Sequence, residues 1–192
     1  MSAIPGSVLR AIAHLSAREV RLIAARHRGE MEMLEGADKV QALLAAVRIL
    51  DELRAPYALI GGVAVGLHTR VPRATLDTDL AVRTTHRGPT LTAAFVAAGF
   101  VLRGEHPHSV NFRHASGEPV QLAFDVVFDP MLDRVAVFDV DGVEVRVVAK
   151  DDLIAMKRRA AADPTRRRSK VLRDQADVEL LLGDIPDPDE GW

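Results

Sequence analysis

Apolar residues recur at helical spacing through Val40, Leu43, Leu44, Val47, Leu50 and Leu53, and the stripe stops short of Pro56, where a helix must end. An earlier stripe, Val20, Ile23 and Ala24, follows Ser16-Ala17-Arg18-Glu19, which has the form of a capping box, and predicts a helix to about Leu34. Gly36-Ala37-Asp38 separates the two. Together they predict an N-terminal helical hairpin over residues 1–56, serving either as a packing layer or as a partner or dimer surface.

From Tyr57 the period changes. Tyr57 to Ile60 is a short apolar run that enters Gly61-Gly62 and continues as a helix through Val63, Val65 and Leu67, a strand, turn and helix unit. Asp77 to Val82 reads as a strand and Thr90 to Ala98 as a helix ended by Gly99. Val110 to Arg113 pairs with Val120 to Phe128 around Ser116-Gly117, and Arg134 to Phe138 with Val143 to Val148 around Asp141-Gly142. Asp151 to Ala162 and Ser169 to Leu182 are helical, broken by Asp163-Pro164 and stopped by Gly183. The fold class is α+β: a mixed central sheet with helices packed on it. Residues 57–182 form the core with its C-terminal helices, and 183–192 an acidic tail.

A length of 192 residues fits one domain, and a charged fraction of 27% beside 48% hydrophobic residues describes a folded chain. The absence of cysteine excludes disulfides and thiolate catalysis and fits a cytoplasmic protein. No apolar run is long enough to span a membrane, and Met1-Ser2-Ala3-Ile4-Pro5 lacks signal-peptide character. A net charge of -2 argues against a surface covered in positive charge but permits a local basic rim such as Arg166-Arg167-Arg168, which otherwise reads as a solvated loop. Arginine supplies nearly all the positive charge. Lysine occurs only at Lys39, Lys150, Lys157 and Lys170, so each position is informative.

Candidate chemistry concentrates between residues 59 and 125. Gly61 and Gly62 remove side chains where a strand becomes a helix, so backbone N–H groups can approach a polyphosphate; the same pair also suits a tight turn. Asp77 and Asp79, two apart on a strand, project to one face and can share a hard divalent cation. A third carboxylate, Asp125, lies inside the apolar run from Val120 to Phe128, where Leu122, Phe124, Val126 and Phe128 take one face and Asp125 the other. It either pairs with a basic side chain or joins Asp77 and Asp79 around metal. Three carboxylates suffice for two magnesium ions, with manganese as a substitute, which is the chemistry of phosphoryl or nucleotidyl transfer. The seven histidines have no cysteine partners for a zinc cluster. His68 reads as a packing residue, and His106 and His108 as loop residues.

Ile60-Gly61-Gly62, Ala64, His68, Arg73, Thr75, Asp77 and Asp79 together resemble the glycine-pair and paired-aspartate signature of the DNA polymerase beta-like nucleotidyltransferase superfamily, and most closely the AbiEii-like abortive-infection and toxin-type group. The resemblance implies metal binding by Asp77, Asp79 and Asp125 and nucleotide phosphates on Gly61 and Gly62. It covers residues 57–182, because Asp152 to Lys157 and Arg168 to Asp177 resemble that group's lysine helix and the arginine and aspartate helix after it. Lys157 either contacts nucleotide phosphates or snorkels outward, and Asp174 and Asp177 anchor basic side chains of the lysine helix. Arg73 and Thr75 either position the triphosphate or order the loop before the strand. The sequence departs from the pattern in having Gly-Gly where many relatives have Gly-Ser, and Val171 after Lys170 where relatives often have aspartate. The expected function is magnesium-dependent transfer of a nucleoside monophosphate from an NTP to an acceptor hydroxyl, on tRNA or on protein if the chain is a toxin with a cognate antitoxin. The alternatives are an antibiotic-type small-molecule nucleotidyltransferase and a non-catalytic nucleotide-binding partner protein.

Overall fold

A computed structural model describes residues 7–17, 38–185 and 187. In chain order the elements are helix α1 (residues 7–17), α2 (Lys39–Glu52), β1 (Tyr57–Ile60), α3 (Gly61–Thr69), β2 (Thr78–Val82), α4 (Pro89–Ala97), β3 (Val101–His106), β4 (Ser109–Arg113), β5 (Pro119–Ala123), β6 (Ala136–Val140), β7 (Val143–Val147), α5 (Lys150–Ala161) and α6 (Arg168–Leu182). One seven-stranded sheet runs in the order β3-β4-β5-β2-β1-β7-β6. β1 pairs antiparallel with β2 and parallel with β7, and β2 pairs parallel with β5, so the sheet is mixed and the fold α+β, as expected. Among the described residues no helix is long and apolar enough to cross a membrane.

Local chemistry accounts for most boundaries. Asp38 caps α2 by accepting a hydrogen bond from the Gln41 amide at 3.0 Å. Asp141 and Gly142, at φ of 51° and 80°, turn β6 into β7 as a tight hairpin requires. Gly183, at φ of 110°, ends α6 in the left-handed conformation. β1 is buried along its whole length because it lies centrally, covered on both faces.

The two faces of the sheet differ. Thr78, Leu80, Phe112, Val120 and Leu122 are buried under α2 and α4, with Phe95 of α4 stacked on Phe112 at a ring separation of 4.8 Å. The other face carries Asp79, with Asp77 in the bend just before β2, and α3 lies over it, since a methyl group on Gly61 would strike the Asp79 carboxylate. α5 and α6 pack beside α3.

Three local expectations change. Ser16 does not start a helix but lies inside α1, where its hydroxyl donates to the Ile12 carbonyl at 2.6 Å. The remainder of that expected helix, to about Leu34, lies outside the described residues. β3 was not anticipated, because an edge strand exposed along its length carries no apolar alternation. β5 stops at Ala123, well short of Phe128, and Val126, expected beside Leu122, is 73% exposed.

Candidate active site

Gly61 opens α3 at φ of 70°, a conformation that disfavours any Cβ, and a Cβ there would also collide with Asp79. At Gly62 a Cβ would lie 2.9 Å from Thr75 and collide with the Arg73 guanidinium. Both glycines are thus required by close approach as well as by the turn. The first N–H groups of α3 have no carbonyl within the helix to bond and no side-chain cap, which leaves a positive helix end beside the aspartates.

Asp79 of β2 is level with Ile60 of β1, Asp77 lies in the bend just before β2, and both are half-buried. Burial and, second, the charge of Asp77 push the Asp79 carboxyl up to about 7, against the pull of Lys157, Lys39 and Lys170. A carboxyl raised by burial and by a neighbouring carboxylate marks a site that gains from a cation.

The structure gathers further charges around this pair. Lys157 Nζ lies 2.9 Å from Asp174 Oδ1 and 2.8 Å from Asp177 Oδ2, so the aspartates of α6 anchor the lysine helix as expected. Arg166 Nε bonds Asp174 Oδ2 at 2.7 Å from the link before α6, while Arg167 and Arg168 beside it are exposed. Arg73 Nε meets Asp177 Oδ1 at 2.5 Å, tying the loop before β2 to α6. Thr75 is buried, its amide bonded to Ser16 Oγ at 3.0 Å, which is the loop-ordering role. His68 is a packing residue: Nε2 bonds the Val148 carbonyl at 2.8 Å and its ring meets Phe138 edge-on.

Asp125 is the correction. β2 and β5 run parallel with Asp79 level with Gln121 and Ala81 level with Ala123, so Asp125 lies beyond the far end of β2 from Asp77. β5 ends at Ala123, and Asp125 follows in the irregular chain after it. Its carboxylate instead accepts from the Val127 amide at 3.1 Å, closing a turn. Among the described residues no group of three or more His, Asp or Glu side chains is arranged to hold a metal ion.

Two residues that sequence reasoning did not assign also border the site. Lys39, almost fully buried at the start of α2, forms an ion pair with Glu118, whose Oε1 also accepts from Thr78 Oγ1 at 3.2 Å. Thr78 is the residue between the two aspartates. Burial pushes the Glu118 carboxyl up, opposed by Lys39. The scarcity of lysine was the only signal for Lys39; Glu118 carried none.

Residues 42–190 match the model of the family described as Nucleotidyl transferase AbiEii toxin, Type IV TA system. The chain belongs to the AbiEii nucleotidyltransferase family. It is therefore a nucleotidyltransferase, of a toxin family that implies an NTP substrate and an antitoxin partner. No curated protein sequence matches it. Among solved structures, it is similar in fold to the lincomycin-bound lincosamide antibiotic adenylyltransferase LnuA, with a TM-score of 0.57 and 12% identity over 79% of this chain and 100% of that one. An antigenic nucleotidyltransferase-like protein from Paracoccidioides brasiliensis gives 0.54 and 20% over 77% of each chain. ANT(2")-Ia in complex with adenylyl-2"-tobramycin gives 0.53 and 18% over 76% and 90%. At these identities the AbiEii-family chain shares their fold.

Proposed function

We propose that this nucleotidyltransferase moves a nucleoside monophosphate from an NTP to an acceptor hydroxyl with magnesium, or manganese in its place, held by Asp77 and Asp79. The observation that carries the reading is Asp79 packed against the side-chain-free start of α3, with the Asp77 charge acting on it from two residues before. The donor set fits the ion: magnesium is commonly held by one or two carboxylates together with substrate phosphates and retained waters, so a third protein carboxylate is not needed. When bound, the cation neutralises triphosphate charge and acidifies the attacking hydroxyl.

The chain's own residues have distinct tasks. The free N–H groups at Gly61 and Gly62 bind phosphate oxygens, and the open backbone there lets the triphosphate come close. Arg73, whose guanidinium lies over Gly62, faces the same phosphates. Lys157, pinned by Asp174 and Asp177, supplies a fixed positive charge near the aspartates. In the transfer, the acceptor oxygen forms a bond to the α-phosphorus as the bond to the β-phosphate bridge breaks. The electron pair leaves with pyrophosphate, and the hydroxyl proton passes to water.

The acceptor we favour is RNA, in the form of a tRNA end, over a protein side chain. Residues 158–173 carry seven basic side chains against one acid, Asp163, in a chain whose net charge is -2. Most of them, including Arg158, Arg159, Arg167 and Arg168, are exposed on α5, α6 and the link between them, the same two helices that hold Lys157 and Asp174. Such a face attracts a phosphate backbone. As a toxin-family member the protein acts in the cytoplasm and is restrained by a cognate antitoxin.

Incubation with each labelled NTP, magnesium and unfractionated tRNA, followed by intact-mass analysis, is expected to show one nucleotide mass added to RNA. Asp77→Asn and Asp79→Asn are expected to reduce transfer by about 10³-fold, the loss that several kcal/mol of transition-state stabilisation implies. Unchanged transfer in either variant overturns the assignment. Transfer to protein or to a small hydroxylated molecule in place of RNA overturns the acceptor class alone.

A further inference from the structure

The sheet beside Asp79 continues as a polar row. Gln121 of β5 is level with Asp79 of β2, and Asn111 of β4 is directly opposite Gln121. Residues in register across a sheet project to the same face, so Asp79, Gln121 and Asn111 lie side by side, with neighbouring strands about 4.8 Å apart. The alternate residues of β4 and β5, Val110, Phe112, Val120 and Leu122, are buried on the other face. Gln121 and Asn111 remain half-buried.

A hydrogen bond ties two members of the row together. Gln121 Nε2 donates to Asn111 Oδ1 at 3.0 Å. Because β5 lies between β4 and β2, the Gln121 side chain stands in the row between Asn111 and Asp79. The place level with Asp79 on the adjacent strand, where a carboxylate would complete a three-acid site, thus holds a neutral amide tied to Asn111. An amide oxygen accepts a hydrogen bond but does not take a proton at neutral pH.

We propose that Gln121, oriented by Asn111, is the residue that contacts and aligns the acceptor hydroxyl beside the phosphoryl group held at Asp77 and Asp79. This inference rests on the transfer reaction proposed above. Gln121 Oε1 accepts the hydrogen bond of the attacking hydroxyl and sets the line along which its oxygen approaches the α-phosphorus. The proton itself goes to water as the new phosphorus–oxygen bond forms and pyrophosphate departs. Asn111 is a positioning residue that acts through Gln121.

Wild type, Gln121→Leu, Gln121→Glu and Asn111→Leu are to be compared with labelled NTPs and unfractionated tRNA, alongside calorimetric binding of manganese–NTP and thermal melts. Gln121→Leu is expected to bind manganese–NTP within about twofold of wild type while kcat/KM for tRNA falls about 10- to 100-fold, the scale of a misaligned attacking group. Asn111→Leu is expected to show a smaller loss of the same kind. Gln121→Glu, which introduces a titratable group, is expected to add a limb to the pH profile that wild type lacks. Equal acceptor kinetics in wild type and a folded Gln121→Leu overturn the inference and leave the transferase reading standing. Loss of manganese–NTP binding in Gln121→Leu also overturns it, by assigning the residue to the donor side. A wild type that neither binds manganese–NTP nor transfers to any acceptor overturns the transferase reading, and this inference with it.

Discussion

A methyl group on Gly61 meets two penalties at once, a left-handed backbone and the Asp79 carboxylate. Gly61→Ala is therefore expected to cost about 1–2 kcal/mol from the backbone alone, with the collision added, read as a lowered denaturation midpoint. It is also expected to abolish NTP binding, because the carboxylate must shift from the phosphate cradle. Asp79 gives a pH signature. Its carboxyl is raised to about 7 in the folded chain against 3.8 for the free group, so between those values the native state binds more protons than the unfolded one. The stabilisation linked to that proton is full below the lower value and lost as pH rises through about 7. Metal-free wild type is expected to lose melting temperature relative to Asp79→Asn across that window, and manganese binding near pH 6 to release protons measurable by calorimetry. A difference between the two melts that stays flat with pH counts against the carboxylate's environment as described. At this scale much was legible: paired glycines and alternate aspartates are properties of adjacent residues.

Between elements, the contact that matters most is α5 against α6. Lys157, nearly buried, faces Asp174 and Asp177, whose side chains are buried almost completely, and Arg73 and Arg166 close the cluster. Removing one cation from such a group leaves buried charge uncompensated, and Lys157→Met is expected to destabilise by about 3–5 kcal/mol, read from urea denaturation. The triple variant Lys157→Met, Asp174→Asn, Asp177→Asn is expected to recover part of that stability but no transfer activity, which separates the structural task of the cluster from its catalytic one. The two helices and their ionic anchoring were readable because spacing along a helix fixes which side chains share a face. The share taken by Arg73 was not, since it depends on a loop about a hundred residues earlier being folded onto α6.

For the whole molecule, charge is separated: residues 158–173 are strongly basic while the complete chain is slightly acidic. Replacing Arg158, Arg159, Arg167 and Arg168 together by Gln is expected to lower the slope of log affinity for tRNA against log salt by about 3, since each phosphate contact contributes roughly 0.7 to 0.9. Binding measured by fluorescence anisotropy across a salt series checks it; an unchanged slope removes the basic face from RNA docking. Asp125 marks the limit of what a sequence discloses at this scale. Alternation within β5 correctly separates the apolar face from the polar one, yet a strand's period says nothing about which of its residues stands level with Asp79 on the neighbour. That register places Gln121 there and leaves Asp125 in a turn beyond the strand. The sequence by itself determined most of the strands and helices, the glycine turn and the closeness of Asp77 to Asp79, because these follow from backbone geometry over a few residues. Only the tertiary structure decided the Lys39–Glu118 pair beneath Thr78, the hold of Arg73 on Asp177 and the row from Asp79 to Asn111. Those juxtapositions join segments tens of residues apart, and their relative placement is set by how the whole sheet and its two helical layers pack.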